Sequence, residues 1–110
     1  MIKDYSDEIR KLIKKYKKED IKYAKPLDYL LHRNNLTKEQ IEKDLFSCDN
    51  LNKVIKQERN EEIRYLLYFV YTKKRGRAYV LHLNERLVII TIYPLGKKTL
   101  SKYVRRRFIK

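Results

Sequence analysis

The chain has 110 residues, which is enough for one folded domain with a single core and too few for two. Apolar residues make up 43%, enough to fold, and the lone cysteine, Cys48, excludes an intrachain disulfide. The formal net charge of +14 is segregated: residues 71–110 hold 12 Lys and Arg against one acid, Glu85, while residues 1–70 hold 16 against 13.

Residues 4–24 read as a helix, because Ile9, Leu12, Ile13 and Tyr16 recur three or four apart. Its run Lys14, Lys15, Lys17 and Lys18 reads as a solvated face, with Glu8, Glu19 and Asp20 nearby. Pro26 suits the first turn of a second helix, with Leu27, Leu30 and Leu31 as its stripe and Asn34-Asn35 at its end. Thr37 and Gln40 have capping-box spacing, with Leu36 and Ile41 placed as a hydrophobic staple. That third helix runs through Leu45 and Phe46 and closes at Asp49-Asn50. Cys48, near its end, reads as a small buried apolar residue.

From there the period becomes extended. Lys53–Glu58 is a short edge-strand candidate, and Arg64–Thr72 is a strand rich in aromatic and β-branched residues. Lys73 to Gly76 forms a turn in which Gly76 can take a positive φ. Arg77–Leu83 and Leu87–Tyr93 follow as strands around a three-residue loop, Asn84 to Arg86. That loop pairs Leu83 with Leu87 and Tyr79 with Thr91. Arg77, Tyr79, Leu81, Ile89, Thr91 and Tyr93 then share one face, and Val80, His82, Val88, Ile90 and Ile92 form the core face, where His82 reads as a buried, hydrogen-bonded histidine before a catalytic one. Pro94-Leu95-Gly96 breaks the last strand, and Thr99–Phe108 returns to helical spacing. The expected fold is α+β: N-terminal helices (1–50), a three- or four-stranded antiparallel sheet (53–93) and a basic C-terminal helix (97–108), in one domain spanning 1–110.

A basic third with almost no acids, laid over the sheet, points to a polyanion, and nucleic acid is the prime candidate. The turn Lys73, Lys74, Arg75 and Arg77 and the loop Lys97-Lys98 fall at the same end of a meander. Lys102, Arg105 and Arg106 on the last helix extend the same patch. Arginine grips phosphate bidentately, and neutralising several phosphates makes binding salt-dependent. Tyr68, Tyr71, Tyr79, Tyr93 and Tyr103 are interleaved with this charge and could stack bases. His32 has two readings, a helix C-terminal cap or a general acid–base.

Cys48, His32 and His82 fall short of a zinc framework, and no metal or cofactor is expected. Carboxylates are scarce on the basic face, which argues against a two-metal nuclease. No apolar run approaches a membrane span, and the N-terminus has no signal-peptide core, so the protein reads as soluble and cytoplasmic. Abundant Lys, Glu, Ile and Tyr with little Gln fit either a hot environment or a lysine-rich coding bias.

Three segments carry a family resemblance. His32 to Thr37 with the Glu39–Phe46 helix resembles the helical hairpin of RelE-type ribonuclease toxins and their small relatives. Arg75 to Leu81 resembles the strand that carries their functional arginine, and Leu87–Tyr93 resembles the strand after it. The N-terminal helix stands where the toxins have an opening strand. The resemblance implies a compact sheet on helices and metal-free RNA cleavage. Arg77 would stabilise charge, and His32 or Tyr93 would move protons. The expected function is therefore a small basic protein directed at nucleic acid, RNA before DNA: a metal-independent endoribonuclease or a degenerate relative of one. The alternative is a non-catalytic DNA- or RNA-binding module using the same face. An acidic cognate inhibitor is a further candidate partner.

Overall fold

A computed structural model of the chain describes residues 4–108, with side chains as far as Lys102. The first helix, α1 (Ser6–Ile13), is much shorter than the expected 4–24. Like charges at Lys14, Lys15, Lys17 and Lys18 weaken a helix there. The chain instead turns through a 3-10 segment, Lys18–Asp20, in which the Lys17 N–H donates to Asp20 Oδ2 at 2.8 Å. It then enters a strand that the sequence reading missed, β1 (Ile21–Tyr23). Two contacts tie this bend to the loop after Leu83. The Tyr16 hydroxyl donates to the Asn84 carbonyl at 2.5 Å, and Arg86 lies 3.6 Å from Asp20.

Helices α2 (Leu27–Asn34) and α3 (Lys38–Ser47) follow the sequence closely. Asn35 ends α2 in the left-handed region at φ 51°, as its short polar side chain permits. The capping box at α3 is complete: the Gln40 N–H donates to Thr37 Oγ1 at 3.2 Å, and the Thr37 N–H donates to Gln40 Oε1 at 2.8 Å. Both staple residues, Leu36 and Ile41, are buried. Cys48 is buried at the C-cap of α3.

Four further strands complete the sheet: β2 (Leu51–Arg59), β3 (Glu62–Thr72), β4 (Arg75–Leu83) and β5 (Leu87–Pro94). Their order is β1-β5-β4-β3-β2, with β1 parallel to β5 and the other pairs antiparallel. The sheet is thus five-stranded and mixed rather than three- or four-stranded and antiparallel. The chain remains α+β, with a strand set among its N-terminal helices. Asn60 and Glu61, both at positive φ, make the tight β2–β3 turn that suits the twist of a hairpin. On the outer edge of β2, the Val54 N–H donates to Asp4 Oδ1, and its carbonyl accepts from the Tyr5 N–H. The N-terminal segment thereby covers part of an exposed strand edge.

The expected faces of the β4–β5 hairpin are exchanged, and a bulge interrupts their alternation. Leu83 does pair with Leu87, but the register shifts between Val80 and Leu81, so Tyr79 lies opposite Ile92 and not Thr91. One extra residue on β5 moves side chains beyond it to the other face. Tyr79, Leu81, Leu87, Ile89 and Ile92 are the buried set, and they pack against Ile9, Ile13, Leu30, Ile41 and Leu45 of α1–α3. His82 belongs to the opposite face, only partly covered, with Nδ1 3.0 Å from the Ile63 carbonyl oxygen.

Helix α4 (Lys97–Phe108) starts on that opposite face, where buried Leu100 meets Val70 beside Tyr68 and Leu95. Gly76 makes this docking possible. It does not adopt the expected positive φ; it is a strand residue whose missing side chain leaves room. A Cβ there would lie 2.8 Å from the Phe69 carbonyl oxygen and 2.9 Å from both Leu95 and Leu100.

Candidate nucleic-acid interface

Two strands and one helix build the centre of the site. On α3, Ile41, Asp44 and Leu45 form the buried stripe, so a carboxylate occupies a core position. Beneath it, Tyr79 of β4 and Tyr71 of β3 both donate to Asp44 Oδ2, at 2.6 and 2.5 Å. Tyr71 sits where the β3–β4 register shifts between Val70 and Thr72, and such a shift re-aims a side chain. Phe69 packs edge-on against Tyr79 at 5.1 Å and parallel to Tyr71 at 6.4 Å, fixing both rings.

Arg77 shares this face of β4 with Tyr79, two residues on. Its guanidinium stacks on the Tyr71 ring at 4.7 Å, a cation–π contact. Its Nη1 is buried with no acceptor among the described residues. An unsatisfied buried donor costs about 1–3 kcal/mol, which an arriving oxyanion can offset.

Burial pushes the Asp44 carboxyl above its ordinary 3.8, against the pull of both tyrosine hydrogen bonds and of the Arg77 and Lys43 charges. Burial and the neighbouring Asp44 drive the hydroxyls of Tyr71 and Tyr79 far above 10. Tyr65, buried and donating to Glu8 at 2.9 Å, is pushed up to about 12. These three hydroxyls keep their protons in the folded chain where the unfolded chain loses them. The stability they contribute is complete below pH 10 and is lost as pH rises through the folded values. In an alkaline titration, tyrosinate absorbance from these residues should appear together with the loss of far-UV circular dichroism, in one cooperative step. Ionisation of every tyrosine with the dichroism intact would contradict this.

Two clefts open at this end of the sheet and share Tyr71, Arg75 and Arg77. The larger, about 260 Å³, is walled by Gln40, Lys43 and Asp44 of α3 with Thr72. The smaller, about 180 Å³, adds Asn34, Lys74 and Pro94. A groove of about 520 Å³ shares Lys74 with the smaller cleft and is lined by Lys73 and Lys97 against Leu100. Lys73, Lys74, Arg75, Lys97 and Lys98 are exposed, and none forms an ion pair among the described residues. Among the described residues lining these three clefts, Asp44 is the one acid.

The expected site residues are thus distributed unevenly. Lys73, Lys74, Arg75, Arg77 and Lys97 line three clefts that share residues at this end of the sheet. Lys98 and Lys102 are exposed on α4 but do not line its groove. Arg105, Arg106 and Tyr103 fall outside the residues whose side chains are described. His32 is exposed in the last turn of α2 and lines neither cleft. Tyr93, opposite Ala78, lies on the face away from Arg77. The structure therefore does not gather His32, Arg77 and Tyr93 around one point.

No protein-family model, curated protein or solved structure matches the chain. Function must be read from the residues alone. Among them, Asp44, Lys43, Gln40 and Asn34 join the site without having been expected. Asp44 did leave a signal: a charged residue three after Ile41 and one before Leu45 stands on an apolar stripe. Among the described residues, no three His, Cys, Asp or Glu gather where they could hold a metal ion, and no helix is long and apolar enough to cross a membrane.

Proposed function

We propose that this protein binds RNA, seating a backbone phosphate against Arg77 while the neighbouring phosphates run along Lys74, Lys73 and Lys97. The observation that carries this reading is the Arg77 guanidinium, stacked on Tyr71 and lining both clefts beside Lys43, Lys74 and Arg75. Phosphate oxygens are the acceptors such a fork suits best. Single-stranded or looped RNA can bend its backbone into a concavity that a rigid duplex cannot enter.

Cleavage of the bound strand is a second reading, and one observation favours it. Asp44 lies beside Arg77 in the larger cleft, and burial raises its carboxyl towards the range of a working general base. With Arg77 and Lys43 as charge stabilisers, this would be the metal-independent chemistry that the resemblance to RelE-type toxins implies.

One titration tests both readings. Fluorescence anisotropy with a labelled single-stranded RNA should show affinity falling linearly on a log–log plot against salt, with a slope of about −3 or steeper for four or more contacts. Samples held with EDTA and run on a denaturing gel report cleavage. No binding at low salt would sink the RNA reading. Intact RNA after long incubation would sink only the cleavage reading, leaving a binding module.

A further inference from the structure

Asn34 closes α2 and is only 8% exposed, yet half of its amide has no partner. Its Nδ2 donates to the Leu30 carbonyl at 2.9 Å and to the Ile92 carbonyl at 3.1 Å, pinning the helix to β5. Flipping the amide would set its oxygen against two carbonyl oxygens, so the orientation is dictated by its partners. Oδ1 therefore stays on the other branch, buried and without a donor among the described residues. Asn34 lines the smaller cleft together with Arg77, whose buried Nη1 lacks an acceptor. One cleft thus holds an acceptor that needs a donor and a donor that needs an acceptor.

A ligand that satisfies both offers an acceptor to Arg77 and a donor to Asn34, as an oxyanion beside a hydroxyl does. A DNA backbone offers acceptors only. An RNA backbone offers a phosphate on the 3′-oxygen and a hydroxyl donor on the adjacent 2′-carbon. We propose that Asn34 and Arg77 together form a ribose-phosphate subsite, in which Arg77 takes the phosphate and Asn34 Oδ1 accepts the 2′-hydroxyl, so that the protein selects RNA over DNA. The proposal rests on Arg77 being a phosphate seat, and it adds the group that tells one nucleic acid from the other. Lys73, Lys74 and Lys97 meet both backbones equally and cannot discriminate between them.

The decisive change is made on the strand, where it cannot disturb the fold. Three single strands of one sequence are compared by anisotropy: RNA, DNA, and a 2′-fluoro strand that keeps the sugar pucker of RNA but has no O–H. RNA should bind about tenfold tighter than both others, the effect of one hydrogen bond to a buried unsatisfied group. That ratio should persist as salt rises, because the hydroxyl releases no counterions. A 2′-fluoro strand that binds as tightly as RNA would overturn the proposal in favour of backbone shape. Equal binding of RNA and DNA would overturn it while leaving Arg77 as a phosphate seat, whereas failure of all three strands to bind would remove both. On the protein side, Asn34→Ala should reduce the RNA-to-DNA ratio to near one. If that variant does not fold, the strand series decides alone.

Discussion

Asp44→Ala should destabilise the protein by about 3 kcal/mol, a large share of the 5–15 kcal/mol typical of a domain. The truncation leaves the Tyr71 and Tyr79 hydroxyls with no acceptor, and Tyr79 is fully buried. It also removes the carboxylate beside Arg77, leaving a partly buried cation without its counter-charge. Asp44→Asn keeps an oxygen for the hydroxyls and should cost clearly less. Urea denaturation at neutral pH measures both. A loss under 1 kcal/mol for the alanine variant would mean that the tyrosines find water readily and that the cluster does not hold α3 to the sheet.

The same residue gives stability a pH dependence of definite sign. Burial raises the folded-state pKa of Asp44 above 3.8, so the folded chain holds this proton where the unfolded chain has released it. Its contribution is complete below 3.8 and disappears as pH rises through the folded value. Wild type should therefore gain on Asp44→Asn as pH falls through that window. The opposite slope would show that Arg77 and Lys43 outweigh burial and hold the group ionised.

What the sequence made legible was what local chemistry decides. The Thr37–Gln40 box, the break at Asn34-Asn35, the β3 strand and the three-residue loop before Leu87 all depend on residues within a few positions of one another. What stayed hidden depends on distant partners. Ile21–Tyr23 is a strand because β5 lies beside it in parallel, a pairing across more than sixty residues with no local signature. The faces of the β4–β5 hairpin are the reverse of those expected, because both are apolar and alternation does not say which one the helices cover, and a bulge near Val80 leaves no mark in a two-residue period. Gly76 invited a turn reading, although its use is to let Phe69, Leu95 and Leu100 approach. The site divides in the same way. Its cations were visible as a charge imbalance, whereas Asp44 and Asn34 entered it only once α2 and α3 were packed over β4 and β5.

Reversing Lys73, Lys74 and Lys97 together to Glu should weaken RNA binding on the order of 100-fold or more at moderate salt, and should lower the salt slope by about two. These lysines are exposed, line one groove and lack ion pairs among the described residues, so the substitutions break no structural contact. The formal charge falls from +14 by six, and a general loss of attraction could mimic the loss of a specific track. The control is an equal reversal elsewhere. Lys14, Lys15 and Lys17 are equally exposed and follow α1, remote in sequence from the groove. Changing these three to Glu lowers the net charge by the same amount. If the RNA backbone runs along the groove, the α1 variant keeps most of its affinity and its full slope while the groove variant loses both. If the two variants weaken equally, binding reflects only the total charge, and the convergence of Lys73, Lys74 and Lys97 beside Arg77 has no bearing on it. Melting both variants beside wild type guards the comparison, since relief of like-charge repulsion should leave each at least as stable.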